Sequence, residues 1–132
     1  MKDVIFDEFQ DIVMDSLIRH KSILDITSKF SESSARVNRA IVKAVTDCGC
    51  IKINAHKQCV PTEEQTLTEL ANCFKSHLDG KICDNCREVI EREMGNHIFY
   101  LTSLCNSLDI NLYDVLLKEH QKVNALGKFD FR

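Results

Sequence analysis

Residues 22–50 read SILDITSKFSESSARVNRAIVKAVTDCGC, and this stretch decides the fold. Ile23, Ile26, Phe30, Ser34, Val37, Asn38, Ile41, Ala44, Val45 and Cys48 recur at three- and four-residue intervals. That spacing lays them along one face of an α-helix, which turns once every ~3.6 residues. Neither Gly nor Pro interrupts the stripe before Gly49. Ser22 can accept a hydrogen bond from one of the free amides of the first turn, so it is the expected N-cap. Gly49 suits the left-handed residue that follows a helix end. The stretch predicts one helix of about seven turns, with Ser31 to Ser34 as the place where it would bend.

Working outward, Val4, Ile5, Phe9, Ile12, Val13, Leu17 and Ile18 form one face of a preceding helix that should end near His20. On the other side, CIKINAHKQCVP (50–61) alternates Ile51 and Ile53 with Lys52 and Asn54 and offers a turn around His56 and Lys57. It reads as a short hairpin or an extended loop. Thr62 and Gln65 have the spacing of a capping box for a short helix through Leu67, Leu70, Phe74 and Leu78, which Asp79-Gly80 would end. A further helix should start at Asp84 or Asn85, with Ile90, Met94, Ile98, Leu101, Leu104, Cys105 and Leu108 on one face. Asn111 is the expected cap of a last helix through Leu112, Val115, Leu116 and Val123, followed by an extended tail, LGKFDFR. The expectation is a single all-α domain over 1–132. It would be a bundle of about four main helices with a cysteine-flanked excursion at about 48–86.

Composition narrows the function. With 17 Lys and Arg against 20 Asp and Glu the chain carries a net charge of -3, so it lacks the basic excess of a general nucleic-acid binder. No stretch reaches the ~20 apolar residues of a membrane-spanning helix, so no membrane association is expected. Asp3, Asp7 and Glu8 interrupt the amino terminus where a secretion signal would be apolar, and the expected location is cytoplasmic. Seven cysteines are an odd number. In a reducing compartment they are read first as metal ligands or as core residues.

Four of them fall in two close pairs, Cys48-Gly49-Cys50 and Cys83-Asp84-Asn85-Cys86. Thiols in this arrangement suit a structural zinc. One pair ends the long helix and the other starts the later one, so antiparallel packing would bring them together. Two other readings stand beside zinc: thiols that merely pack or face solvent, and a redox switch that releases metal on oxidation. Cys59 and His56 could replace one of the four ligands. Cys73 and Cys105 lie next to or on apolar helix faces and read as core, and His20, His77, His97 and His120 have no partner at ligand spacing. Ile98-Phe99-Tyr100-Leu101 is apolar on nearly every side, which points to a homo-oligomer, most simply a dimer, built on that helix.

Residues 88–124, EVIEREMGNHIFYLTSLCNSLDINLYDVLLKEHQKVN, resemble the carboxyl half of the MazG-like proteins. The matching positions are Glu93-Met94-Gly95-Asn96, Ile98 to Leu101, Asp109-Ile110-Asn111-Leu112, Lys118, Lys122 and Asn124. That family consists of all-α nucleoside triphosphate pyrophosphohydrolases. The resemblance implies hydrolysis between the α- and β-phosphates of a nucleotide or similar diphosphate, with magnesium held by carboxylates on two helices. By carry-over, Glu93 and Asn96 would bind the metal and Lys118 or Lys122 would touch phosphate. The sequence departs from the family pattern at the metal ligands. Asn96 stands where the family has Asp, and the matching part of the long helix, residues 32–39, holds one carboxylate beside Arg36 and Arg39. Neutral Asn and Ser oxygens bind magnesium weakly.

Two functions follow from these residues. One is a divergent pyrophosphohydrolase. The other is a zinc-stabilised bundle that has lost hydrolysis and serves as a binding or regulatory protein, with Ser34, Asn38, Glu93 and Asn96 lining a cleft and Arg36 or Arg39 at its rim. Each site residue also has a plain structural reading: Ser34 and Asn38 as small polar residues of a tight helix contact, Glu93 as the ion-pair partner of Arg36 or Arg39.

Overall fold

The computed structural model describes residues 2–127, so the expected extended tail lies mostly outside the described residues. Five α-helices are present: α1 (Lys2–Ser16), α2 (Ile23–Lys43), α3 (Leu67–Cys73), α4 (Asp84–Ser107) and α5 (Leu112–Leu126). Two three-residue strands, β1 (Ile51–Ile53) and β2 (Leu78–Gly80), pair antiparallel with Ile51 opposite Gly80 and Ile53 opposite Leu78. Among the described residues no helix is long and apolar enough to cross a membrane.

The predicted caps hold at two helix starts, and the structure adds a third at Cys83. Ser22 accepts the Leu24 amide, and the Asn111 side chain accepts the Asp114 amide. Cys83 caps α4 by accepting the Cys86 amide at 3.4 Å. Other boundaries move. α1 stops at Ser16, ahead of His20, leaving residues 17–22 to turn the chain. The capping box belongs to Thr66 and Glu69, one turn beyond Thr62, whose own contacts with Gln65 only close a turn. β1 finds its partner in Leu78–Gly80 rather than beyond the His56-Lys57 turn.

α2 and α4 are the spine and lie antiparallel, as their cross-contacts show in order along the chain. Phe30 stacks on His97 at 4.5 Å, Ser33 bonds His97 Nδ1 at 2.8 Å, Arg36 reaches Glu93 at 2.9 Å, and Ala44 packs with Ile90. The buried positions of α2 are Ile26 and Ser33. The stripe is thus rotated from its expected centre: Ser34 is half-buried, while Asn38 and Ile41 are exposed. Ser33 can lie at 1% exposure because its hydroxyl reaches both the Phe30 carbonyl and His97.

α1 crosses the carboxyl half of α4 and α5 packs against α1. Their junction is polar. Gln10 donates to Asn106 Oδ1 and the Ile110 carbonyl and accepts the Leu112 amide at 2.9 Å. Thr102 and Ser103, both buried, return their hydroxyls to the Ile98 and Phe99 carbonyls. The apolar stripe expected to pack α4 is buried only in part: Ile90 and Cys105 lie inside, whereas Met94, Ile98 and Leu101 are all more than a third exposed.

Ile26 is fully buried at the start of the spine. Ile26→Ala should therefore destabilise the fold by about 2–5 kcal/mol in urea unfolding, whereas the exposed Lys52→Ala should stay within about 0.5 kcal/mol.

Candidate metal centre

The long helix does not run to Cys48 in one geometry. After Lys43 it widens into a π-helical turn, Ala44–Cys48, closed by the Gly49 amide on the Ala44 carbonyl at 2.9 Å. Gly49 then adopts φ 77, a left-handed conformation that reverses the chain toward Cys50. Gly80 is required for a different reason. A Cβ there would meet the Cys50 carbonyl oxygen at 2.7 Å, so β2 can lie against Cys50 only without a side chain.

These turns bring the two cysteine pairs together. The sulfurs of Cys48, Cys50, Cys83 and Cys86 all lie within 4.8 Å of one another, and Cys48 and Cys83 are 3.8 Å apart. Beneath them Ala44, Ile51 and Ile90 form a buried apolar floor, with Val45, Ile82 and Cys86 against it. The four thiols can hold a metal ion, as the sequence spacing predicts. Neither His56 nor Cys59 is in the cluster.

The electrostatics of the group fit that use. The Cys86 amide and thiol donate toward Cys83 and lower its pKa to about 7. Hydrogen bonding to Cys83, together with burial, pushes Cys86 up to about 12. Cys48 is also raised: hydrogen bonds from the Cys86 thiol and the Cys50 amide pull it down, but the Cys83 and Cys50 thiols and burial outweigh them. Without a cation the cluster accommodates one thiolate readily, at the amino-terminal dipole of α4, and resists the next. A dication removes that repulsion.

Two of the seven cysteines pair in a way the sequence did not reveal. Cys59 and Cys73 form a disulfide across the excursion, with Cα atoms 6.0 Å apart. Cys73 is therefore a half-buried loop staple and not a core thiol, because α3 ends there and turns it toward the other arm. Cys105 is buried on α4 as expected, and burial raises its pKa.

The residues carried over from the family resemblance do not gather at one point. Glu93 is largely buried against Arg36, their Nε–Oε2 distance being 2.9 Å. Arg36, Arg39, Ala40, Lys43, Val89 and Glu93 line a cavity of about 370 Å³ between α2 and α4. Asn96, Asn38 and Ser34 do not line it; the first two are exposed and Ser34 is half-buried. Lys118 and Lys122 are exposed on α5. Lys43 is the residue that sequence reasoning missed. Its signal was the i, i+3, i+7 spacing of Arg36, Arg39 and Lys43, which places three cations on one helix face. Comparison with protein-family models, curated proteins and solved structures finds no match to this chain.

Metal uptake by the four thiols at pH 7 should release at least two protons, because Cys48 and Cys86 are held protonated beforehand and Cys83, near 7, is about half protonated. Calorimetry in buffers of different ionisation enthalpy measures this number. Binding should weaken steadily as pH falls and the thiolates are protonated.

Proposed function

We propose that this protein is a zinc-stapled, MazG-like helical bundle that binds a phosphate-bearing anion, such as a nucleotide, without hydrolysing it. The observation that carries the reading is the engagement of Glu93 by Arg36 in a cavity that otherwise presents Arg39 and Lys43. Three cations line it with one carboxylate, while Glu32 and Asp47 pair with Arg36 at 3.8 Å and with Lys43 at 3.1 Å on its flanks, leaving Arg39 as the cation with no ion pair among these residues. Such a surface attracts a polyanion directly, through charge-assisted hydrogen bonds to phosphate oxygens. Magnesium chemistry needs the reverse, several free carboxylates around a cation. The hydrolase reading is supported by the resemblance over residues 88–124, and a likeness of fold alone does not supply an activity.

Zinc is the metal proposed for the four-cysteine cluster. A compact set of four cysteine sulfurs is a structural zinc arrangement, closed to substrate. The metal would hold the carboxyl end of α2 to the amino end of α4, and with them the two walls of the cationic cavity. Free thiols at these positions fit a reducing cytoplasm, where the Cys59–Cys73 pair would be reduced as well.

The working unit is proposed to be a homodimer. The chain's accessible surface is 10128 Å², about 3,000 Å² above the roughly 7,100 Å² expected of a compact monomer of 15.1 kDa. Large apolar side chains contribute to the exposed surface. Ile5 on α1, Ile98 on α4, and Leu116 on α5 are all at least 47% exposed. A groove between α1 and α4, lined by Ile5, Phe6, Phe9, Gly95, Ile98 and Leu112, lies on the same side. A second copy covering this face would bury what one chain leaves open.

Calorimetry with a nucleoside triphosphate should show binding that persists without magnesium. The double variant Arg36→Ala, Arg39→Ala should weaken it at least tenfold, or about 1.4 kcal/mol. Magnesium-dependent release of pyrophosphate that disappears in Glu93→Ala would overturn this reading and restore the hydrolase. Light scattering should give a mass twice the 15.1 kDa of one chain, and Ile98→Asp should shift it to the monomer.

A further inference from the structure

Beyond the four-cysteine cluster, the excursion between β1 and β2 carries a second set of soft donors. Its arms are laced together past the strands. The Asn54 amide donates to the His77 carbonyl at 2.8 Å, and the Gln58 side chain bonds both the amide and the carbonyl of Lys75. This register places His56 against His77, with ring centroids 4.6 Å apart, and Cys59 against Cys73. In sequence the four residues read His-x-x-Cys and Cys-x-x-x-His on opposing arms, and such short spacings let two donors from each arm meet one ion.

The two imidazoles are already set up as donors. His56 Nδ1 lies 3.1 Å from the Lys57 carbonyl, so it carries the proton and leaves Nε2 with a free lone pair. A ring N–H held by a backbone carbonyl is the usual support of a metal-bound histidine. His77 Nε2 is buried and has no hydrogen-bond partner, an arrangement that costs free energy unless something accepts or donates there. His77 itself sits at φ 60, where a non-glycine residue is uncommon.

We propose that His56, Cys59, Cys73 and His77 form a second zinc site, available when the Cys59–Cys73 pair is reduced. A dithiol reductant delivers two electrons and two protons to the disulfide, yielding two thiols and its own disulfide. Zinc then displaces the two thiol protons and binds two thiolates and two neutral imidazoles. The resulting site is neutral overall, which suits an exposed loop, whereas the four-thiolate centre is a dianion packed on an apolar floor. The same pair of thiols thus closes the excursion in either state, by a covalent bond or through a metal. This inference is independent of the anion-binding reading.

The test is metal stoichiometry on the full chain, with zinc or cobalt as the only probe. Metal-free protein reduced with a dithiol should take up two zinc ions, and protein reoxidised at Cys59–Cys73 should take up one. Cobalt in the second site should show the weaker sulfur-to-metal absorption of a two-sulfur, two-nitrogen ligand set. Reduced Cys59→Ser, Cys73→Ser protein should lose that spectrum and one equivalent. If the four-cysteine centre fails, one ion with a mixed-donor spectrum, lost in this variant, still supports the second site. A reduced wild-type chain that binds one ion, retained by the Cys59→Ser, Cys73→Ser variant, overturns it.

Discussion

Four sulfurs within 4.8 Å of one another cannot all carry charge unless a cation lies among them. The rest of the architecture depends on that constraint. The π-helical turn at Ala44–Cys48, the left-handed Gly49 and the bare Gly80 each exist where an ordinary residue or an ordinary helix would misplace one sulfur. The cluster fixes the relative register of α2 and α4 at one end. From there the contacts between the two helices follow in order: Ala44 with Ile90, Arg36 with Glu93, Ser33 and Phe30 with His97. The cationic cavity is a product of the same alignment, because Glu93 meets Arg36 only in this register.

Much of this was legible in the sequence, for reasons that differ from residue to residue. The long helix was legible because three- and four-residue spacing without Gly or Pro has one geometric solution. The cysteine pairs were legible because ligand spacing is short-range. The exact face of α2 was not. Ser33 and Ser34 are chemically identical neighbours, and the choice between them is made by His97 on another helix. The short-helix cap was misplaced because Thr62-x-x-Gln65 and Thr66-x-x-Glu69 satisfy the same rule, and tertiary context selects the second. Pairing of Cys59 with Cys73, like pairing of β1 with β2, joins distant segments that no local pattern connects.

The expected site divides in the same way. Glu93, Arg36 and Arg39 come together because they lie along one interhelical seam, while Asn96 and Asn38 project away from it. A motif transferred by likeness fixes positions along a helix but not the angle at which that helix meets its neighbour. The outward-facing stripe of Met94, Ile98 and Leu101 shows the consequence for packing. Periodicity identified an apolar face, but only part of it, Ile90 and Cys105, is buried within the described residues.

The seat of α1 differs in kind from the spine. Gln10 ties it to the α4–α5 turn through amide hydrogen bonds, and among the described residues the one fully buried large side chain it contributes is Val13. Hydrogen bonds of this type add about 0.5–1.5 kcal/mol each, and they are exchanged readily for bonds to water. The backbone amides of α1 and α5 should accordingly open and exchange with solvent deuterium at a lower free energy than those of α2 beneath the cysteine cluster. Protection from exchange should then fall along α4 from the cysteine end toward the end where α1 and α5 pack.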